Sequence, residues 1–109
     1  MISRITNSNF ENIKKVGNGS AINIQNSAEV SIISCFFKNN VVSEWGGAFY
    51  ISANNNILKK NMFVECFSTK RANQICGNAG FIAKGESKLE HINIHKCGPS
   101  TTEKNRFIH

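Results

Sequence analysis

The sequence predicts an all-β protein, a right-handed single-stranded parallel β-helix (a solenoid) of about three to four coils. One pattern of strands and turns recurs about every 27 to 31 residues, and residues of like chemistry fall in register between repeats. No segment of ten residues carries a helical stripe of apolar side chains. Because one repeat cannot bury its own apolar face, the repeats are expected to stack about 4.8 Å apart.

The first motif of each repeat is a strand centred on a large apolar residue. These residues recur at spacings of 27, 26 and 31, and they are Phe10, Phe37, Phe63 and Ile94. A second apolar set precedes them by five residues in every repeat, and it comprises Ile5, Ile32, Leu58 and Leu89. Each set is predicted to form one column of the core, with its members stacked on one another.

The second motif combines glycine or other small residues with a following strand. The small residues expected to be structural are Gly46, Gly47, Gly77, Ala21, Ala48 and Ala79. The strand that follows supplies one more apolar column, formed by Ile24, Ile51 and Ile82. The third repeat is longer between its two motifs, around Thr69 to Gln74, and insertions of this kind form loops in solenoids.

The chain is expected to hold a single domain. Residues 1–98 form the repeat region, with coils near 5–27, 30–56, 58–87 and 89–98, and residues 99–109 form a tail, a cap or the start of a further coil. The two ends of a solenoid leave strand edges open. We therefore expect further coils to stack on the ends, and the chain to be part of a longer repeat protein.

Composition and charge limit the partners. The chain has a net charge of +6, from 13 basic and 7 acidic residues. A lysine stripe on one side would indicate an anionic partner surface, whereas an even scatter would argue against it. No segment approaches the roughly 20 apolar residues of a transmembrane segment, and no signal peptide is visible.

One stretch resembles a known family of surface proteins. Phe37-Lys38-Asn39-Asn40 and then Gly46-Gly47-Ala48-Phe49 resemble the paired FxxN and GGA(I/L/V) repeats of the chlamydial polymorphic outer-membrane proteins. The resemblance implies an adhesin-type binding or structural module, with an unknown protein or glycan as its partner. It also implies a location at the cell surface or outside the cell, if the chain is part of a longer protein.

Catalysis is not indicated, and no catalytic, cofactor or metal residue is predicted. The chain has no aspartate, and we place no two of its glutamates in one column near a basic residue. Glycoside hydrolysis requires paired carboxylates. The alternative is a truncated, pectate-lyase-like enzyme that acts on polysaccharide. His91, His95 and Cys97 lie at even spacing on one predicted strand, so they are expected to share a face, but this spacing matches no standard zinc motif.

Two further features are candidates for function. Cys66 and Cys97 fall in one column, 31 residues apart, so adjacent coils would bring them within disulfide range. The alternative is that the cysteines are buried small apolar groups. Trp45 and Tyr50 flank the Gly46-Gly47 turn and form a possible contact patch. The alternative is that Phe49 or Tyr50 packs inward and Trp45 covers a corner.

Overall fold

A computed structural model describes residues 2–69 and 79–97. These residues form a parallel β-solenoid of about three turns, without a helix, and the predicted fold class is confirmed. The strands are β1 Ile2–Thr6, β2 Asn9–Glu11, β3 Lys14–Lys15, β4 Ile22–Ile33, β5 Phe36–Lys38, β6 Val41–Val42, β7 Phe49–Lys59, β8 Met62–Val64, β9 Phe67–Ser68, β10 Gly80–Ile82, β11 Glu86–Glu90 and β12 Asn93–His95. The predictions for Gly77, for the loop after Thr69 and for the tail 99–109 lie outside the described residues.

The first three turns of the solenoid each contribute to three sheets, and the described part of the last turn contributes to two. The long sheet has the order β1-β4-β7-β10, and β11 also pairs with β7. A second sheet has the order β12-β8-β5-β2, and a third the order β3-β6-β9. Strands that are neighbours in a sheet come from successive turns, so the backbone groups of one turn pair with those of the next.

The predicted apolar columns are confirmed by the strand register. Phe10 pairs with Phe37, Phe37 with Phe63, and Phe63 with Ile94. The three phenylalanine rings stack with centroids 5.1 and 4.8 Å apart. The second column, Ile5, Ile32, Leu58 and Leu89, is also in register. Both columns are fully buried in the middle turns, whereas Leu89 in the last turn is 45% exposed.

Small residues allow the turns to stack closely where the long strands begin. The amide of Ala21 donates to the carbonyl of Ala48, and the amide of Ala48 donates to that of Ala79, so the predicted alanine column is confirmed. Phe49 packs inward beneath Gly80, where an added Cβ would lie 2.0 Å from the Phe49 ring. At this position the missing side chain of Gly80 leaves room for the Phe49 ring of the turn before.

Residues with positive φ turn the chain between the sheets. One corner column has φ between 51° and 57°, and its members are Asn12, Asn39, Glu65 and Lys96. A second has φ between 48° and 57°, and its members are Asn7, Ser34, Lys60 and His91. Asparagine tolerates this left-handed conformation better than most residues. Asn39 Nδ2 also donates to Asn12 Oδ1 at 2.9 Å, which links two turns at the corner.

These corners overturn one detail of the sequence analysis. His91, His95 and Cys97 were expected to share a face because they are evenly spaced. His91 and Lys96 are both corner residues, and the corner at Lys96 leaves His95 exposed and Cys97 buried. The alternation of a strand does not continue through a left-handed residue, so the three side chains do not share a face.

Candidate binding surface

Three aromatic side chains meet on the outer face of the solenoid. The Tyr50 and Phe81 rings stack in one column, with centroids 5.5 Å apart and planes 6° from parallel. The Trp45 ring lies 5.0 Å from the Phe81 ring at 56°. All three side chains are half-buried. We call Trp45, Tyr50 and Phe81 the aromatic patch.

Strand alternation places the patch outside the core. Phe49 and Ile51 point inward and are fully buried, so Tyr50 between them points outward. The alternative that Phe49 or Tyr50 packs inward is therefore met by Phe49, while Tyr50 lies on the outer face. Trp45 and Tyr50 each contact Phe81, which the sequence analysis did not single out. The signal was present, because Phe81 precedes Ile82 as Tyr50 precedes Ile51.

A chain of amides continues the surface into the first turn. Asn23 is exposed and pairs in register with Tyr50. Its Nδ2 donates to the Asn18 carbonyl at 3.0 Å, and its Oδ1 accepts from Gln25 Nε2 at 3.0 Å. Asn18 Oδ1 accepts a hydrogen bond from the Trp45 amide at 3.0 Å, which fixes the amides against the patch. We call Asn18, Asn23 and Gln25 the amide ridge.

The side chains of the patch and the ridge carry no charge. Lys15 lies beside the ridge, where its Nζ donates to the Asn18 carbonyl at 3.0 Å. Exposed amides offer both donors and acceptors, and half-exposed aromatic rings offer apolar area with little entropy to lose. The surface is therefore suited to a neutral partner that carries both apolar faces and hydroxyl or amide groups.

Basic residues elsewhere alternate with acidic ones. Lys59 pairs in register with Glu90, and Lys38 with Glu11. Lys88 Nζ lies 3.3 Å from Glu90 Oε2. At these three positions a neighbouring glutamate offsets the charge of the lysine.

The glutamates are arranged differently from what was expected from the sequence. Glu29 pairs with Asn55, and Asn55 pairs with Glu86, so two glutamates share a column two turns apart. Lys88 and Ile57 join them in lining a cleft of about 210 Å³. The expectation that no two glutamates share a column near a basic residue was wrong. The signal was available, because Glu29 and Glu86 each stand three residues before a member of the Ile32–Leu89 column.

Buried asparagine and cysteine side chains contact backbone carbonyls in the same way at the inner corners. Asn40 Nδ2 donates to the Phe10 carbonyl at 3.0 Å, and its Oδ1 accepts from the Ile13 amide at 3.2 Å. One turn later, Cys66 Sγ lies 3.6 Å from the Phe37 carbonyl, and in the next turn Cys97 Sγ lies 3.6 Å from that of Phe63. Each side chain thereby serves backbone groups that the strand ladders leave unpaired at the corner.

Cys66 and Cys97 are in contact as predicted, and no disulfide joins them in the structure. The Cys66 amide donates to Cys97 Sγ at 3.4 Å. The hydrogen bond with the Cys97 side chain and then burial raise the pKa of the Cys66 thiol. Both residues are fully buried, as the alternative of buried small groups requires. A disulfide between them stays a prediction.

The raised pKa of Cys66 predicts a loss of stability at alkaline pH. The folded state holds the proton more tightly than the unfolded chain, whose thiol has a pKa near 9.0. The contribution of the protonated Cys66 thiol to the free energy of unfolding is therefore complete below pH 9. It declines as pH rises further, by at most about 1.4 kcal/mol per pH unit. Urea unfolding of the reduced protein at a series of pH values from 7 to 10.5 measures this decline in stability.

The control for this titration is Cys66→Ala, which removes the thiol. Its stability should decline less steeply above pH 9 than that of the parent protein. Equal slopes for the two proteins would show that the Cys66 thiol titrates in the folded state as it does in the unfolded chain.

The part of the chain that the structure describes holds no group of three or more histidine, cysteine or acidic residues placed to bind a metal ion. In the same residues no helix is both long and apolar enough to cross a bilayer. Comparison with protein-family models, with curated proteins and with solved structures finds no match.

Proposed function

We propose that this chain is a non-catalytic binding module, and that the aromatic patch and the amide ridge bind a neutral glycan. The observation that carries the proposal is the continuity of the two groups. Tyr50 and Phe81 share one outward column with Asn23, so the surface extends over three successive turns. The solenoid holds these side chains at fixed spacings, so a ligand finds the surface already formed.

The chemistry of a sugar matches this surface. A pyranose ring has apolar C–H faces, which pack against aromatic side chains such as Trp45 and Tyr50. Its hydroxyl groups donate and accept hydrogen bonds, and the exposed amides of Asn23 and Gln25 can do both. A charged ligand would find no compensating charge in the patch itself.

The resemblance to the polymorphic outer-membrane proteins supports the same proposal. Their repeats resemble residues 37–49, which include Trp45 and end just before Tyr50. On this proposal the chain acts as an adhesin-type module at a cell surface or outside the cell, and its stacked turns serve to display the patch.

The test is a titration of the isotope-labelled protein with a panel of neutral oligosaccharides, followed by amide chemical shifts. We expect shifts centred on Asn23, Tyr50 and Phe81. Tyr50→Ala should weaken binding about tenfold or more, which corresponds to at least about 1.4 kcal/mol.

The matched control is Phe36→Ala. Phe36 is also a half-buried aromatic on an outer face, but it lies in the second sheet. Phe36→Ala should leave oligosaccharide binding unchanged. Binding that Tyr50→Ala does not weaken would contradict the proposal, as would shifts confined to other faces. Shifts at the patch with a peptide library, but with none of the sugars, would assign the surface to a protein partner instead.

The cleft between Glu29 and Glu86 supports a second candidate function, hydrolysis of a glycan. Turns about 4.8 Å apart place these residues roughly 10 Å apart at the backbone. The carboxyl groups of inverting glycosidases are separated by about 6.5–9.5 Å. The same oligosaccharides are therefore incubated with the protein and assayed for new reducing ends. Release that Glu86→Gln abolishes and Glu65→Gln preserves would replace the binding module with an enzyme.

A further inference from the structure

The corner column that contains Asn40, Cys66 and Cys97 places two thiols in successive turns. Cys97 Sγ accepts the Cys66 amide at 3.4 Å, so the Cys97 sulfur is directed toward the turn before it. Successive turns stack about 4.8 Å apart. This separation falls within the range of about 4.4–6.8 Å that disulfides require between their Cα atoms.

Cys35 provides the contrast within the same protein. It is buried at the other inner corner, where its amide donates to Asn61 Oδ1 at 2.9 Å and its Sγ lies 3.6 Å from the Ile5 carbonyl. The residues that pair with it at this corner are Ser8 and Asn61, which are not thiols. The described residues therefore contain one pair of thiols and one control thiol of similar burial.

We propose that Cys66 and Cys97 form an oxidisable dithiol, which closes to a disulfide when the protein meets a small disulfide such as oxidised glutathione. The bond would fasten the last described turn to the turn before it. It would also close a ring across residues 67–96, which include the insertion that lengthens the third repeat.

The reaction is a double thiol–disulfide exchange. One cysteine thiolate attacks the small disulfide, forms a mixed disulfide and releases one thiolate. The second cysteine then attacks the protein sulfur of the mixed disulfide and releases the other. The two protein thiols lose two protons and two electrons in total, and the small disulfide becomes two thiols.

Formation of the disulfide removes only weak hydrogen bonds of the two thiols in the folded protein. Closure would remove the contacts of Cys66 Sγ with the Phe37 and Val64 carbonyls and those of Cys97 Sγ with the Phe63 and His95 carbonyls, all between 3.5 and 3.7 Å. It would also replace the hydrogen bond between the two side chains, and a thiol is a weak donor in each of these contacts. The Cys97 sulfur can still accept the Cys66 amide. In return, the cross-link restricts the unfolded chain over a ring of some thirty residues.

Access for the oxidant comes from the end of the stack. Both thiols are fully buried, so exchange requires local opening. The last described turn is the less covered one, because its core residue Leu89 is 45% exposed whereas Leu58 in the turn before is fully buried. Elements with fewer buried contacts open at lower free energy than the rest of a protein.

The experiment oxidises the full-length reduced protein with glutathione disulfide at pH 8 without denaturant, and maps the products by peptide mass spectrometry. We expect one cross-linked peptide pair that joins Cys66 to Cys97. We also expect the melting temperature to rise by roughly 10 °C and to return to its starting value on reduction.

Variants at the other cysteines separate this pair from adventitious bridges. The fourth cysteine of the chain, Cys76, lies outside the described residues. Cys35→Ala and Cys76→Ala together should keep both the cross-link and the shift, whereas Cys97→Ala should abolish both. Stable mixed disulfides without a bridge, or a bridge that forms only in urea, would overturn the proposal. If Cys97→Ala does not fold, the peptide map of the parent protein decides alone, and a bridge to Cys35 or Cys76 there would also overturn it. None of these outcomes depends on glycan binding.

Discussion

Replacing Phe37 with alanine should lower the free energy of unfolding by about 3–5 kcal/mol, as expected for removal of a fully buried ring. Phe37 is 0% exposed, and its ring stacks between those of Phe10 and Phe63. Its removal would leave a cavity in the middle of the column, and the rigid backbone ladders on either side limit how far the turns can collapse into it.

Urea unfolding followed by circular dichroism measures this effect. Phe36→Ala is the control, because the preceding residue lies in the same strand with its side chain on the outer face, and we expect a loss of less than about 1.5 kcal/mol. Phe37→Leu provides a graded variant that keeps most of the apolar volume, and its loss should fall between the other two. Equal losses for Phe36→Ala and Phe37→Ala would contradict the inward column.

Replacing Gly46 with alanine should lower the free energy of unfolding by about 2–5 kcal/mol, the second-largest loss that we expect. Gly46 has φ of +73°, which disfavours an L side chain, and an added Cβ would lie 2.0 Å from the Phe49 carbonyl oxygen. That carbonyl belongs to the backbone of β7 at the centre of the long sheet, so it cannot move aside without breaking the ladder.

Asparagine at the same position separates the two contributions. Nine non-glycine residues of the described chain have positive φ, and four of them are asparagines, so the conformation alone is tolerated in this fold. Gly46→Asn should therefore be about as damaging as Gly46→Ala in thermal unfolding. Rescue by asparagine would show that the φ value, and not the contact with Phe49, excludes side chains from this turn. Asn39→Gly, at a corner with φ of +54°, should change stability little.

The repeat spacing was sufficient to predict the stacking of the core. Spacings of 27, 26 and 31 between Phe10, Phe37, Phe63 and Ile94 fix which residues lie above one another, and the strand register agrees at each step. The same alignment contained the column of Glu29, Asn55 and Glu86 and the position of Phe81. Neither stands out among columns of like residues, because one mixes glutamate with asparagine and the other mixes asparagine with aromatic residues.

The contacts around the patch could not be predicted in this way. Tyr50 and Phe81 share a column, but Trp45 comes from the turn before the strand and reaches Phe81 in the next coil. The bond from the Trp45 amide to Asn18 Oδ1 also joins two coils. Such contacts depend on the path of the backbone through each turn, where Gly19 and Gly46 have positive φ.

By itself, the sequence determined the class of fold and the register of its columns, because both follow from a period that the chain repeats. Only the tertiary structure decided which side chains face outward beyond each corner. A single left-handed residue such as Lys96 interrupts the alternation of a strand, so His95 is exposed while Cys97 is buried beside Cys66. The period fixes what lies above each residue, whereas the backbone conformation at the corners fixes what each residue faces.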